Sequence, residues 1–157
     1  MRRGILVLSD ELELSDEALG HAAAVTQRTE GTLVLLLLLS PSLRPDRDEE
    51  ALERSGRELL EQCVLGTLRE VERVEAHVRL GDPWSELCKF AALRGPFLTA
   101  VWGSRKGLSE WRRGWPSGHW ANRIHKLLSC PVVTVRRRWD SDRARVDRAW
   151  SEEVKER

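Results

Sequence analysis

The run from Leu33 to Leu39 restricts what this chain can fold into more than any other feature. It is seven apolar residues long, almost pure leucine, and is ended by Ser40 and Pro41. A bilayer-spanning helix needs about 20 such residues, so this run is far too short to cross a membrane. It is also too sharply bounded for a surface helix. Leucine is not a strong strand former, but a short continuous apolar run is what a strand covered on both faces requires. Thr32–Leu39 is therefore expected to be the buried centre of a parallel sheet.

The rest of the chain supplies what such a sheet needs. Gly4–Ser9 is a second short apolar strand, followed by a helix that Ser15 caps and whose first turn carries Asp16 and Glu17, acids favoured at that end of the helix dipole. Leu14, Ala18, Ala22 and Val25 mark its apolar face. After a polar linker with Pro41 and Pro45, an amphipathic helix is expected from about Glu49 to about Glu72, with Leu52, Gly56, Leu59, Cys63 and Gly66 near one line. Val74, Ala76, Val78 and Leu80 alternate with Glu75, His77 and Arg79, the period of a half-exposed edge strand. Asp82-Pro83 starts a third helix bearing Trp84, Leu87, Cys88 and Ala91, and Gly95 stops it. Phe97–Trp102 and Pro131–Val135 read as the fourth and fifth strands. A basic loop and a helix from about His119 to Leu128 lie between them.

Strands alternating with helices imply right-handed crossovers. The expectation is one α/β domain over residues 1–138, with helices on both faces of a five-stranded sheet. Residues 139–157 read as a charged helical extension with Val146, Trp150 and Val154 four apart. A chain of 157 residues, 41% hydrophobic and 32% charged, suits one globular core. Met1-Arg2-Arg3 is followed by too few apolar residues for a secretion signal, so a cytoplasmic location is expected. Three cysteines, Cys63, Cys88 and Cys130, form no CxxC pair and sit among apolar neighbours, which predicts buried reduced thiols rather than disulfides or zinc ligands.

Doubly wound sheets bind ligands beyond the carboxyl ends of their strands, where the winding reverses. That directs attention to Asp10, Ser40, Gly81 and the loop from Gly103. The net charge of +1 hides a basic, tryptophan-rich stretch there: Glu110 is the only acid between Gly103 and Arg138. An anionic ligand would be sought in this part of the chain.

Four segments in this order resemble the universal stress protein family over about residues 4 to 137. ILVLSDELELSDEAL looks like its first strand, acidic turn and first helix, and LGDPWSEL like its turn into the third helix. VWGSRKG is similar to the start of its phosphate loop, and CPVVTV to its last strand. The resemblance implies a Rossmann-like parallel sheet in the order 3-2-1-4-5, and a homodimer formed by pairing the last strands, here Pro131–Val135. It also implies a site for ATP. Asp10 falls on the ribose-binding aspartate, Leu38 on the adenine-contacting position, and Gly103 and Gly118 on the first and third glycines of a Gly-x2-Gly-x9-Gly-Ser/Thr phosphate loop.

The phosphate loop departs from that pattern. Lys106 stands where the second glycine is expected, and Gly107 comes one residue late. The Gly103–Gly118 segment is two residues too long, His119 replaces the serine or threonine, and Leu8 replaces a proline common in the first strand. Glycines serve a phosphate loop by tolerating positive φ and letting backbone N–H groups approach the anion. A lysine at such a position costs about 1 kcal/mol or more. Arg105, Lys106, Arg113 and His119 offer charged donors in place of backbone N–H groups. No tightly bound cofactor is expected, and ATP only weakly.

Nothing else in the sequence specifies catalysis. The loop is neither a Walker loop nor a dinucleotide fingerprint, and no nucleophile elbow occurs. His21, His77, His119 and His125 lack metal-ligand spacing. Arg136-Arg137-Arg138 reads as a solvated strand end, and no nucleic-acid-binding signature accompanies it. Three functional classes fit. The first is a dimeric stress-response or regulatory module, with an unidentified partner, that has weakened or lost ATP binding. The second is an ATP- or AMP-binding module, with slow hydrolysis if its site is intact. The third is a basic anion- or nucleic-acid-binding protein.

Overall fold

A computed structural model describes residues 3–41, 48–104 and 124–135. The expected basic loop, the tail with Trp150 and the run Arg136–Arg138 lie outside these residues. Five strands form one parallel sheet: β1 (Gly4–Ser9), β2 (Thr32–Leu39), β3 (Val74–Leu80), β4 (Phe97–Trp102) and β5 (Val132–Thr134), in the order β3-β2-β1-β4-β5. Among the described residues four helices accompany them: α1 (Asp16–Thr29), α2 (Glu49–Leu65), α3 (Pro83–Arg94) and the short α4 (Ile124–Leu128). Among the described residues no helix is long and apolar enough to cross a membrane.

The alternating pattern of a strand splits the core into two layers. Leu33, Leu35, Leu37 and Leu39 of β2 pack with Leu14, Ala18 and Leu19 and with Leu52, Leu60 and Cys63, beneath α1 and α2. Val34, Leu36 and Leu38 point the other way, onto Leu87 and Phe90 of α3 and Ile124 and Leu128 of α4. The helices start where their caps dictate. Ser15 Oγ accepts from Ala18 N at 3.0 Å, Asp48 Oδ1 from Ala51 N at 2.7 Å and Asp82 Oδ2 from Ser85 N at 2.9 Å. Gly95 closes α3, as expected, by donating to Ala91 O at 2.8 Å.

Two boundaries differ from the sequence reading. α2 ends at Leu65 rather than near Glu72. Its buried positions Leu52, Gly56, Leu60 and Cys63 would be continued by residue 67, but Thr67 is exposed and Leu68 is the residue the core takes up. The chain leaves the helix at Gly66 and turns back, with Leu68 N donating to Cys63 O at 2.9 Å. β5 spans Val132–Thr134, two residues shorter than Pro131–Val135. Val132 and Val133 are half-buried and Thr134 is exposed.

Candidate functional site

The winding reverses between β1 and β4, which lie side by side in the centre of the sheet. Ser9 pairs with Leu37 across β1/β2, and Leu8 with Trp102 across β1/β4. Carrying that register to the strand ends sets Asp10 level with Leu38, and Gly103 level with Ser9. Three of the sequence-selected residues are therefore neighbours at the carboxyl edge. Arg105, Gly107, Gly118 and His119 lie outside the described residues.

Ser9 shapes the turn that carries Asp10. Its fully buried hydroxyl accepts from Glu11 N at 3.1 Å and lies 3.2 Å from Glu11 O, to which it donates, clasping the backbone across Asp10. Asp10 itself is half-buried, with Oδ1 shielded from solvent. Leu38 is fully buried, and its side chain packs in the same layer as Trp102, Leu87 and Phe90.

Gly103 has both backbone groups engaged. Its N–H donates to Leu8 O at 2.8 Å, extending the β1/β4 ladder, and its carbonyl accepts from Ser15 N at 2.8 Å. It thereby ties the end of β4 to the first turn of α1. A Cβ at this position would lie 2.5 Å from Leu14 Cδ2 and 3.0 Å from Val7 Cγ1. Among the described residues the glycine with positive φ is Gly81, at 140°, whose N–H donates to Leu39 O at 3.0 Å. The need for glycine at 103 is thus one of close packing rather than of backbone angle. The roles of Leu14 and Ser9 were not anticipated from the sequence. The available signal was Ser9 placed two residues before Glu11 at a strand end, a local Ser turn.

Burial, aided by the Asp16 carboxylate, pushes the Cys63 thiol up to about 11, and burial raises Cys130 as well. Cys88 is half-buried rather than buried. Among the described residues no group of histidine, cysteine and carboxylate side chains is placed to hold a metal ion.

The fold is shared with known proteins. Solved structures with the same fold include a universal stress protein from Lactobacillus plantarum (TM-score 0.63, 18% identity, covering 86% of this chain and 98% of that one). Another is a universal stress protein from Archaeoglobus fulgidus (TM-score 0.61, 18% identity, 87% and 95%). A third is a universal stress protein from Archaeoglobus fulgidus in complex with dAMP (TM-score 0.60, 20% identity, 87% and 100%). No curated protein matches the chain. The profile of the universal stress protein family, however, matches residues 1–136, nearly the whole of its length. With the five parallel strands in the order β3-β2-β1-β4-β5, this chain belongs to the universal stress protein family.

Proposed function

We propose that this chain is a dimeric regulatory module of the cytoplasm, acting in a stress response, whose adenine-nucleotide cleft has been weakened at its phosphate end. The observation that carries this reading is the state of Gly103. At the position of the first phosphate-loop glycine, the N–H is committed to Leu8 O and the space where a Cβ would stand is filled by Leu14 and Val7. A committed N–H has no further hydrogen to give an anion. Each charged hydrogen bond lost in this way removes about 1.5–3 kcal/mol. Lys106 and the lengthened Gly103–Gly118 segment act in the same direction. Glu11 and Glu13, beside Asp10 in the same loop, add negative charge where a phosphate would approach.

Dimerisation through β5 accords with its place at the end of the sheet, where, among the described residues, no strand pairs with its outer side and half-buried valines favour a second copy. Titration with Mg-ATP in a calorimeter tests the nucleotide half of the proposal. The expected dissociation constant is about 100 μM or weaker, roughly −5.5 kcal/mol or less favourable. Light scattering at micromolar concentration tests the dimer, and a monomer there contradicts it.

One observation favours a second reading, an intact AMP or ATP site. Asp10, Leu38 and Gly103 stand within one residue of each other along the carboxyl edge of the sheet, and structural neighbours include complexes with cAMP, dAMP and AMP. A low-micromolar constant that Asp10→Ala abolishes would establish that reading in place of the first. Binding to DNA that falls steeply with salt would instead identify a nucleic-acid partner.

A further inference from the structure

The opposite edge of the sheet carries a pattern the nucleotide cleft does not explain. β3 pairs with β2, and among the described residues nothing pairs with its outer side. In a parallel ladder a residue's N–H and C=O point to the same side and alternate along the strand. Gly81 N donates to Leu39 O, and Arg73 O accepts from Leu33 N, so the odd-numbered residues face β2. Val74, Ala76, Val78 and Leu80 therefore turn their backbone groups outward. Beside them α2 leaves a groove of about 530 Å3, in which Ala76 is exposed.

We propose that this edge is a self-complementary contact face for a second copy of this chain, bound antiparallel about a two-fold axis at His77. Ala76 then exchanges two backbone hydrogen bonds with the partner's Val78, and Val78 two with the partner's Ala76, all from groups that already point outward. In the intervening pairs, where side chains approach more closely, Glu75 lies opposite the partner's Arg79 and Arg79 opposite the partner's Glu75. Among the described residues Arg79 meets no carboxylate; its guanidinium rests 5.6 Å from the Phe90 ring.

The helix above carries the same symmetry independently. Its groove-lining charges are Arg54, Arg57, Glu58 and Glu61, all exposed, in an order that reads as its own complement when reversed. Two antiparallel copies of α2 set Arg54 against the partner's Glu61 and Arg57 against the partner's Glu58. The two centres coincide. α2 meets β3 closely at Gly56, where a Cβ would lie 3.2 Å from Val78. From Val78, one strand residue toward His77 advances about 3.3 Å, and one and a half helix residues from Gly56 advance about 2.3 Å, to the midpoint of the four charges, so the two centres agree to about 1 Å. One axis thus satisfies both the strand and the helix, as an isologous interface requires.

Charge exchange on α2 tests the proposal in the full chain. One variant is Arg54→Glu with Arg57→Glu, the other Glu58→Arg with Glu61→Arg; all four sites are exposed, and circular dichroism verifies the fold. In sedimentation equilibrium the wild-type chain should double its lowest mass as concentration rises. Each variant alone should stay at its lowest mass, and their equimolar mixture should regain the doubling. The control mixes the first variant with a chain bearing Arg54→Glu and Arg57→Glu together with Glu70→Arg and Glu72→Arg, its added positive charge placed away from the groove, and should not double. A wild-type chain that never doubles, a variant mixture that stays at the lowest mass, or a control that associates equally well overturns the proposal. Pairing through β5 sets the lowest mass in every sample and is read separately from the step above it.

Discussion

β2 and β3 lie side by side in the same sheet and are nearly equal in length, yet they are built from opposite materials. β2 is TLVLLLLL, with every residue after Thr32 buried; β3 is VEAHVRL, with none buried. The difference is one of neighbours. β2 has a strand on each side and helices above and below, so each side chain must fill volume and hold no charge. β3 has one strand neighbour. Val74, Val78 and Leu80 pack into the layer beneath α2, while Glu75, His77 and Arg79 face α3, where Arg94 and Phe90 meet them. The centre of the sheet supplies stability, while the β3 edge keeps its side chains in reach of solvent.

The sharpest way to break this comparison uses two residues paired in register, Leu35 and Ala76. Leu35→Ala leaves a cavity in a fully buried layer and should cost about 2–5 kcal/mol. Ala76→Ser, at an exposed position on the adjoining strand, should change stability by about 0.5 kcal/mol or less. Urea denaturation of both variants reads the contrast. Equal losses would mean that the outer edge of β3 is covered after all.

Strand β1 through β4 could be placed from sequence to the residue because each is a short apolar or alternating run closed by polar or breaking residues: Asp10 after Ser9, Ser40 after Leu39, Gly81 after Leu80, Gly103 after Trp102. The end of α2 was not legible, because polar residues continue a helical pattern past Gly66 and only the tertiary demand to bury Leu68 stops it. Phe90 was missed on α3 for a related reason. The apolar line through Trp84, Leu87 and Ala91 is real, but the layer beneath selects Leu87 and Phe90 for full burial. At the candidate site, topology brought Asp10, Leu38 and Gly103 to within one residue of each other along the sheet edge. What a sequence does not express is that the glycine at 103 serves Leu14, a residue eighty-nine positions away.

Glycine substitutions sharpen the comparison at an intermediate scale. Gly103→Ala would force a Cβ to within 2.5 Å of Leu14 Cδ2, at the junction of β4 and α1, and should cost about 1–3 kcal/mol. Gly20→Ala places the same methyl group on the exposed face of α1, with nothing within 4 Å, and should stabilise by about 0.5–1 kcal/mol. Thermal unfolding of the two variants should therefore shift in opposite directions. A neutral Gly103→Ala would show that Leu14 gives way freely, and would remove the packing explanation for that glycine.

The smallest expected effect belongs to the edge strand and depends on pH. Arg94 donates to the Glu75 carboxylate from Nε at 3.0 Å and from a terminal guanidinium nitrogen, and His77 lies 3.4 Å away. The bond from Arg94 is the chief cause that holds the Glu75 carboxyl below its ordinary value of 4.5; partial burial opposes it, and contact with His77 assists. A group whose acidity is raised by folding stabilises the native state while it is ionised. The contribution is therefore complete above about pH 4.5 and disappears as pH falls through the lowered folded value. With 39% of the side chain exposed, solvent screens the pair, and its worth should lie below about 1 kcal/mol. Glu75→Gln should thus lower stability slightly at pH 7, lose that deficit as pH falls below 4.5 through the lowered folded value, and lose most of it in high salt. The deficit of Leu35→Ala, which involves no charge, should persist across the same range. A Glu75→Gln deficit that is equally independent of pH and salt would mean that the side chain acts through packing, and that the edge strand resembles the centre more than its composition suggests.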